Sequence, residues 1–376
     1  MRKNLFVRSI AAVSGIVMLA SLAACGDNTS SAGNNSGSTS TEKITGSFSG
    51  AGATSQQAAE EAWISAYMAA NSGANVTYNP TGSGAGVTTF LSGAAAWAGS
   101  DKALSDDEVT QSSDKACANG TTAFDVPVYI SPIAIIFNLK GVSDAGKHIN
   151  LDADTAAKIF DGKIVKWNDP AIANQNKDLT LPDTQITVVH RSDKSGTTQN
   201  FVSYFKDQAP DSWTHELSEN WPDIPGQQSA KGTSGVVTAV KQADGTIGYA
   251  DFSQVGDLGT AAIKVGENYN EISADAGSKV IEDSEIDTSV KGDNRVVVKI
   301  NHATEAKGAY PIVLASYDIA CPAYKDASTA KFVKSWLTYV TSDEGQKTAS
   351  SAAGSAPLPS NIVKKVTKSI EAIKTK

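Results

Sequence analysis

From residue 43 onward, short β-branched runs alternate with longer stretches whose apolar residues recur at helical spacing. Residues 43–49 read as a strand. Residues 56–70 read as a helix with Ala58, Ala59, Ala62, Trp63, Ala66 and Tyr67 on one face. A strand at 75–78, a Gly-rich turn at 82–86 and a helix carrying Phe90 and Leu91 follow. LSDDEVTQS (104–112) has the form of a capped helix start. VPVYISPIAIIFNL (126–139) is the most apolar run beyond the leader and reads as a buried strand or strand pair, with Pro127 and Pro132 limiting its pairing. A helix begins near Asp152, and Asp169-Pro170 marks a stop after Trp167. The run TQITVV (184–189) is a strand, and Phe201, Val202 and Phe205 set the face of the helix after it. Residues 207–231 read as loop, 234–242 as helix and 247–249 as strand. The stretch 256–300 reads as polar and irregular until VVVKI. A strand at 310–315, a helix at 328–339 and an amphipathic helix after Pro359 complete the chain. This alternation predicts an α/β fold, with no internal repeat.

Three of the junctions share one chemistry. GAGATS (50–55), TGSGAGV (81–87) and HRSDKSGTTQNF (190–201) each carry Gly, Ser and Thr where a strand ends and a helix should begin. A helix N-terminus presents unpaired N–H groups and the positive end of a dipole, which suit an anion. In the third turn Arg191 adds a charged donor, and Asp193 is placed to orient it. The second turn lacks the Lys of a nucleotide-binding P-loop. Together the turns point to one small oxyanion held by several helix ends.

The first residues bear on compartment. Arg2, Lys3 and Arg8 precede an apolar stretch at 10–22, and Leu22-Ala23-Ala24-Cys25 follows. This pattern resembles a bacterial lipoprotein signal over 1–24, with Cys25 lipidated as the new N-terminus. Residues 25–41 then read as a flexible Ser/Gly/Asn tether, and the fold is expected to start near Glu42. The other two cysteines, Cys117 and Cys321, are in an exported chain either a disulfide or two separate buried thiols, and their separation does not decide which. With 376 residues the chain can hold two domains, and its formal net charge of -8 argues against nucleic acid as a partner. The four histidines, at 148, 190, 215 and 302, are scattered and form no metal-ligand spacing.

Taken together, GAGAT (50–54), GSGAG (82–86), GSD (99–101), RSDKSGTT (191–198), GTIGY (245–249) and YPI (310–312) resemble, in order and spacing, the substrate-binding protein of bacterial phosphate ABC transporters. The resemblance covers about residues 44 to 370. It implies a type II periplasmic-binding-protein fold of two α/β lobes, with the ligand in the cleft between them and two crossing segments as hinge. Lobe 1 is expected at 42–127 and 304–376, and lobe 2 at 128–303. It also implies a phosphate site made by Thr54, Ser55, Ser83, Asp101, Arg191, Ser195, Gly196 and Thr197, with Asp193 orienting Arg191. Tyr249 and Tyr310 are expected to pack or hinge rather than touch ligand. In one place the chain departs from the family pattern: Ser55-Gln56 stands where Phe-Pro is usual.

The implied role is high-affinity extracytoplasmic phosphate binding and delivery to a membrane-embedded ABC permease with a cytoplasmic ATPase. The protein would be a monomer held to the outer face of the membrane by its lipid, with no cofactor and no metal. Asp101 carries the ligand argument. An acceptor-only carboxylate facing an anion is tolerable only if that anion brings a proton, as phosphate does near neutral pH and sulfate does not. Alternatives are a site for another oxyanion, or a surface sensor or adhesin that binds phosphate without transport. A secreted hydrolase would need Ser195 as nucleophile with His190 or Asp193 as its partner, and nothing else in the chain supports that reading.

Overall fold

A computed structural model describes residues 43–143 and 147–376. The leader, Cys25 and the tether lie outside the described residues. Residues 43–376 form one unit built on an 11-stranded sheet. Strand β1 (Thr45–Gly52) lies parallel between β2 (Gly73–Asn79) and β3 (Trp97–Ser100). The last strand, β13 (Val313–Ala320), runs antiparallel to β3 and to β4 (Phe124–Asn138).

Strand β4 ties the two halves of the sheet together. Its residues 124–132 pair with β13, and 133–138 pair with β8 (Thr246–Asp251). Strand β8 is parallel to β6 (Thr187–Arg191), which is parallel to β7 (Gln228–Ala230). Covered on both faces, β4 is buried along all but its last residue, which accounts for its unbroken apolar run. Its prolines are accommodated locally. The β4–β13 register shifts between Ser316 and Tyr317, where Tyr317 pairs with Pro127.

Each half-sheet supports helices at the carboxyl ends of its parallel strands. Helix α1 (Gln57–Ala70) follows β1, and α2 (Ser83–Leu91) follows β2. In the other half, α6 (Gly196–Gln208) follows β6 and α7 (Gly232–Gln242) follows β7. Aromatic clusters back both pairs. Phe48, Tyr67, Trp97, Phe332 and Trp336 pack beneath α1. Phe160, Phe201, Phe205, Trp221 and Tyr249 pack beneath α6. Among the described residues, Cys117 and Cys321 are joined in a disulfide.

Several elements depart from the pattern-based expectation. The stretch 256–300 holds β9 (Gly259–Val265), β10 (Asn268–Asn270) and helix α8 (Ala274–Glu282) rather than irregular chain. Strand β9 has Ala where larger residues would signal alternation, and only its sheet neighbours bury it. The strand expected at 310–315 runs instead from Val313 to Ala320, its polar Ser316 and Asp318 having masked its second half. Helix α10 (Asp343–Ala353) buries only small residues and Gln346, so no apolar stripe announces it. Helix α7 starts at Gly232, two residues before the expected Ser234.

Among the described residues four carboxylates are fully buried, three of them without a cation beside them. Asp251 is fully buried, and desolvation pushes its pKa up to about 7. Glu60 and Asp318 are also fully buried. Desolvation raises both well above the usual carboxylate range, and the charge of Asp318 adds to the effect on Glu60. Asp125, by contrast, is paired with Arg295 at 2.7 Å. A carboxyl whose folded pKa is raised binds its proton more tightly folded than unfolded. Stability is therefore lost as pH rises from the unfolded value of about 4 through the folded one. For Asp318, raised to about 8, that window runs from about 4 to about 8. Melting temperatures measured across this window should show Asp318→Asn gaining on the parent as pH rises. A constant difference would show that Asp318 ionises equally in both states.

Candidate functional site

The turns singled out in the sequence converge between the two half-sheets. Thr54, Ser55, Ser83, Asp101, Arg191, Ser195 and Thr197 are all buried. Gly196 is the first residue of α6, against Ser83 and Asp101. A Cβ at Gly196 would fall 2.8 Å from Ser83 Oγ, so the closeness of the two helix ends requires glycine there. Gly82, at φ +96°, is likewise confined: a Cβ would lie 2.5 Å from Asp193 Oδ2.

Asp101 follows β3 and receives hydroxyls from three separate elements. Ser55 Oγ donates to its Oδ1 at 2.5 Å, Ser316 Oγ to the same atom at 2.6 Å, and Thr197 Oγ1 to its Oδ2 at 2.6 Å. Its backbone is held as well. Its N–H donates to Ser83 Oγ at 3.1 Å, and its carbonyl accepts from Asn200 Nδ2 at 2.6 Å. Thr197 and Asn200 reach Asp101 from the opposite half-sheet.

A second set of bonds joins the halves beside it. Thr54 Oγ1 meets Thr233 Oγ1 at 2.9 Å and accepts from Thr233 N at 3.2 Å. Gln254 Nε2 donates to Thr54 O at 2.8 Å. Thr233 lies at the start of α7, which makes that helix a fourth N-terminus at the site.

Arg191 is buried and bidentate on Asp193, with Nε to Oδ1 at 2.8 Å and Nη2 to Oδ2 at 2.5 Å. Asp193 also accepts from Gly232 N at 3.0 Å, tying the start of α7 to the guanidinium. Burial opposes ionisation of Asp193, but the Arg191 hydrogen bonds and charge outweigh it and hold its pKa below the usual range. Tyr249 packs against Phe201 and bonds Thr198 Oγ1 at 2.6 Å, and its hydroxyl accepts from Arg191 N at 3.3 Å. Tyr310 donates to Ile133 O at 3.1 Å, away from these residues.

The hydroxyls of Ser83 and Ser195 each accept a backbone N–H, from Asp101 and Thr198 respectively, and keep their own proton to donate. As the first residues of α6, Gly196 and Thr197 have N–H groups with no intrahelical acceptor. The site therefore combines neutral N–H and O–H donors with a paired guanidinium and one acceptor-only carboxylate. Among the described residues no group of three His, Cys, Asp or Glu could hold a metal ion.

The model of the PBP superfamily domain matches residues 37–344. Over 381 aligned residues the chain is 36% identical to phosphate-binding protein PstS 2 of Mycobacterium tuberculosis, covering 98% of this chain and 99% of that one. The chain belongs to the PBP superfamily, among the PstS-type proteins. It is also 34% identical to PstS 3 of Mycobacterium tuberculosis over 325 residues, with 84% and 85% of the two chains covered. Of solved structures, a periplasmic phosphate-binding protein (PfluDING) bound with phosphate superposes with a TM-score of 0.69 at 23% identity, covering 86% of this chain and 93% of that one. A phosphate-binding protein from Stenotrophomonas maltophilia gives 0.67 at 20% identity, with the same coverage. These likenesses establish the type II α/β fold.

Thr233, Gln254 and Ser316 carry no role in the sequence analysis, and Thr198 and Asn200 lie within the third turn's motif without an assigned contact. KGTSG (231–235) has the same turn composition as the three turns that were recognised, so Thr233 carried a usable signal. Ser316 carried none, being a lone Ser within a buried strand.

Removing one partner of a buried pair strands the other charge. Asp193→Ala should therefore destabilise the protein by about 3 kcal/mol in denaturant unfolding, and Arg191→Met on that background should recover part of the loss. Additive losses would show that the two side chains do not act as a pair.

Proposed function

We propose that this PBP-superfamily protein binds inorganic phosphate outside the cytoplasm and passes it to an ABC permease. The observation that carries this reading is Asp101, a buried carboxylate set among helix N-termini with part of its acceptor capacity unfilled. Thr54, Ser55, Ser83, Ser195, Gly196 and Thr197 supply the neutral donors, and Arg191 the charged one. Ser55 and Thr197 give their hydroxyls to Asp101, so they serve the ligand through backbone N–H groups. The ionised side chains Asp101, Arg191 and Asp193 sum to a single negative charge. Attraction for an anion must then come from the converging helix ends. A protonated oxygen of phosphate satisfies Asp101, whereas sulfate leaves two acceptors opposed in a dry site. The unmade bond and repulsion cost several kcal/mol, about a thousandfold in affinity.

We take the lobes to be 42–127 with 304–376, and 128–303; a hinge along β4 is supported by its change of partner, from β13 up to Pro132 to β8 from Ile133. The Arg295–Asp125 pair spans that boundary. The bonds of Thr197 and Asn200 to Asp101 and of Thr233 to Thr54 belong to the closed state. Ligand favours closure because only then do all donors face it. A hydrolase finds no support here. Burial holds the His190 pKa down, its Nδ1 lies 2.9 Å from Arg191 O and its ring stacks on Trp221, while the Ser195 hydroxyl caps α6. Lipidation of Cys25 would keep the monomer at the outer membrane face beside its permease.

Calorimetric titration should give tight phosphate binding and negligible sulfate binding, and Asp101→Asn should gain sulfate binding while losing phosphate. Folded, ligand-stripped protein that fails to bind phosphate would refute the reading. For the anchor, Cys25→Ala should shift the protein from the membrane fraction to the soluble one. Unchanged membrane association would exclude a lipid on Cys25.

A further inference from the structure

The Ser55-Gln56 pair replaces the residues usual at this turn, and both side chains lead to Asp101. Ser55 reaches it directly. Gln56, fully buried, donates from Nε2 to Ser316 Oγ at 2.7 Å, and Ser316 Oγ donates to Asp101 Oδ1 at 2.6 Å. Ser316 sits where the β4–β13 register shifts, a place where a strand can re-aim a side chain.

Lone pairs and protons fix the direction of this chain. A carboxylate offers about four acceptor positions, two on each oxygen. Oδ1 is filled by Ser55 and Ser316, and Oδ2 takes Thr197, which leaves one position on Oδ2. Ser316 has a single proton, and an acceptor-only carboxylate claims it. Gln56 must then present its NH2 end to Ser316, with Oε1 turned away.

That Oε1 is buried and finds no partner among the described residues. It lies against Gly99, as does the Tyr78 hydroxyl, whose own proton goes to Ala53 O at 3.0 Å. Asp318 pairs with Gly99 across the sheet, is flanked by Gln56 and Trp336, and has both oxygens without a completed hydrogen bond.

We propose that Gln56 and Ser316 are specificity-determining positioning residues: together with Ser55 they commit Oδ1 of Asp101 to the protein and leave one acceptor position on Oδ2 for a single ligand hydroxyl. The proposal rests on the phosphate reading. Loss of Ser316 leaves Asp101 one donor short, and loss of Gln56 leaves the Ser316 hydroxyl free to turn away from Asp101. A carboxylate short of donors takes up a proton more readily and can then donate to a fully ionised oxyanion. The variants should therefore lose discrimination as well as affinity.

The test titrates purified, ligand-stripped full chain with phosphate and with sulfate, for the parent, Ser316→Ala, Gln56→Leu and Ser316→Thr, with melting temperatures recorded alongside. Ser316→Ala and Gln56→Leu should each weaken phosphate binding about tenfold and narrow the preference over sulfate by at least about that factor. Ser316→Thr keeps the hydroxyl and should keep the parent's preference. Should Ser316→Ala fail to fold, Gln56→Leu and Ser316→Thr decide the matter. An unchanged phosphate-to-sulfate ratio in the folded variants, whatever their melting temperatures, would overturn the proposal. A parent that binds no phosphate would overturn the underlying reading, and this proposal with it.

Discussion

A buried carboxylate among anion-attracting helix ends must be satisfied from several directions at once, and that requirement organises this protein. Asp101 takes its hydroxyl donors from the turn before α1, from β13 and from α6. These elements lie 46, 215 and 96 residues away along the chain. Only a sheet that brings first and last strands together beside β3 can supply such a set. The placement of β13 between β3 and β4 is therefore part of the site as much as of the core.

The same economy of donors explains how the proposed anion site can tolerate a net negative set of side chains. Arg191 is neutralised by Asp193, which in turn fixes the start of α7 through Gly232. The guanidinium therefore acts as an oriented donor with little long-range field. Attraction comes from backbone N–H groups, which carry partial charge and no counter-charge of their own. Their strength depends on exclusion of water, which the proposed closure of the two half-sheets would provide.

The buried acids form a further layer behind the site. Asp318 within β13, and Glu60 and Gln56 at the start of α1, each carry an acceptor oxygen that no described residue satisfies. Their burial is sustainable because protonation removes the charge. The Gln56 amide in this layer is oriented by its Nε2, which donates to Ser316 Oγ and Tyr317 O.

The chain by itself determined the α/β alternation, the long buried crossing at 126–139 and the three Gly/Ser/Thr turns, because these rest on local periodicity and turn chemistry. It also singled out Asp101 as the residue expected to discriminate between anions, through the ordered set of motifs. Tertiary structure alone decided what Asp101 is bonded to. Ser316 lies inside a strand with no local mark, and Gln56 looked like a departure from pattern until the sheet put it beside Ser316. Strand β9 and helix α10 were hidden for a related reason, since neighbours rather than their own residues supply their burial. Hydrogen bonds between residues 46 to 260 positions apart leave no trace in spacing, because their geometry is set by strand order and register.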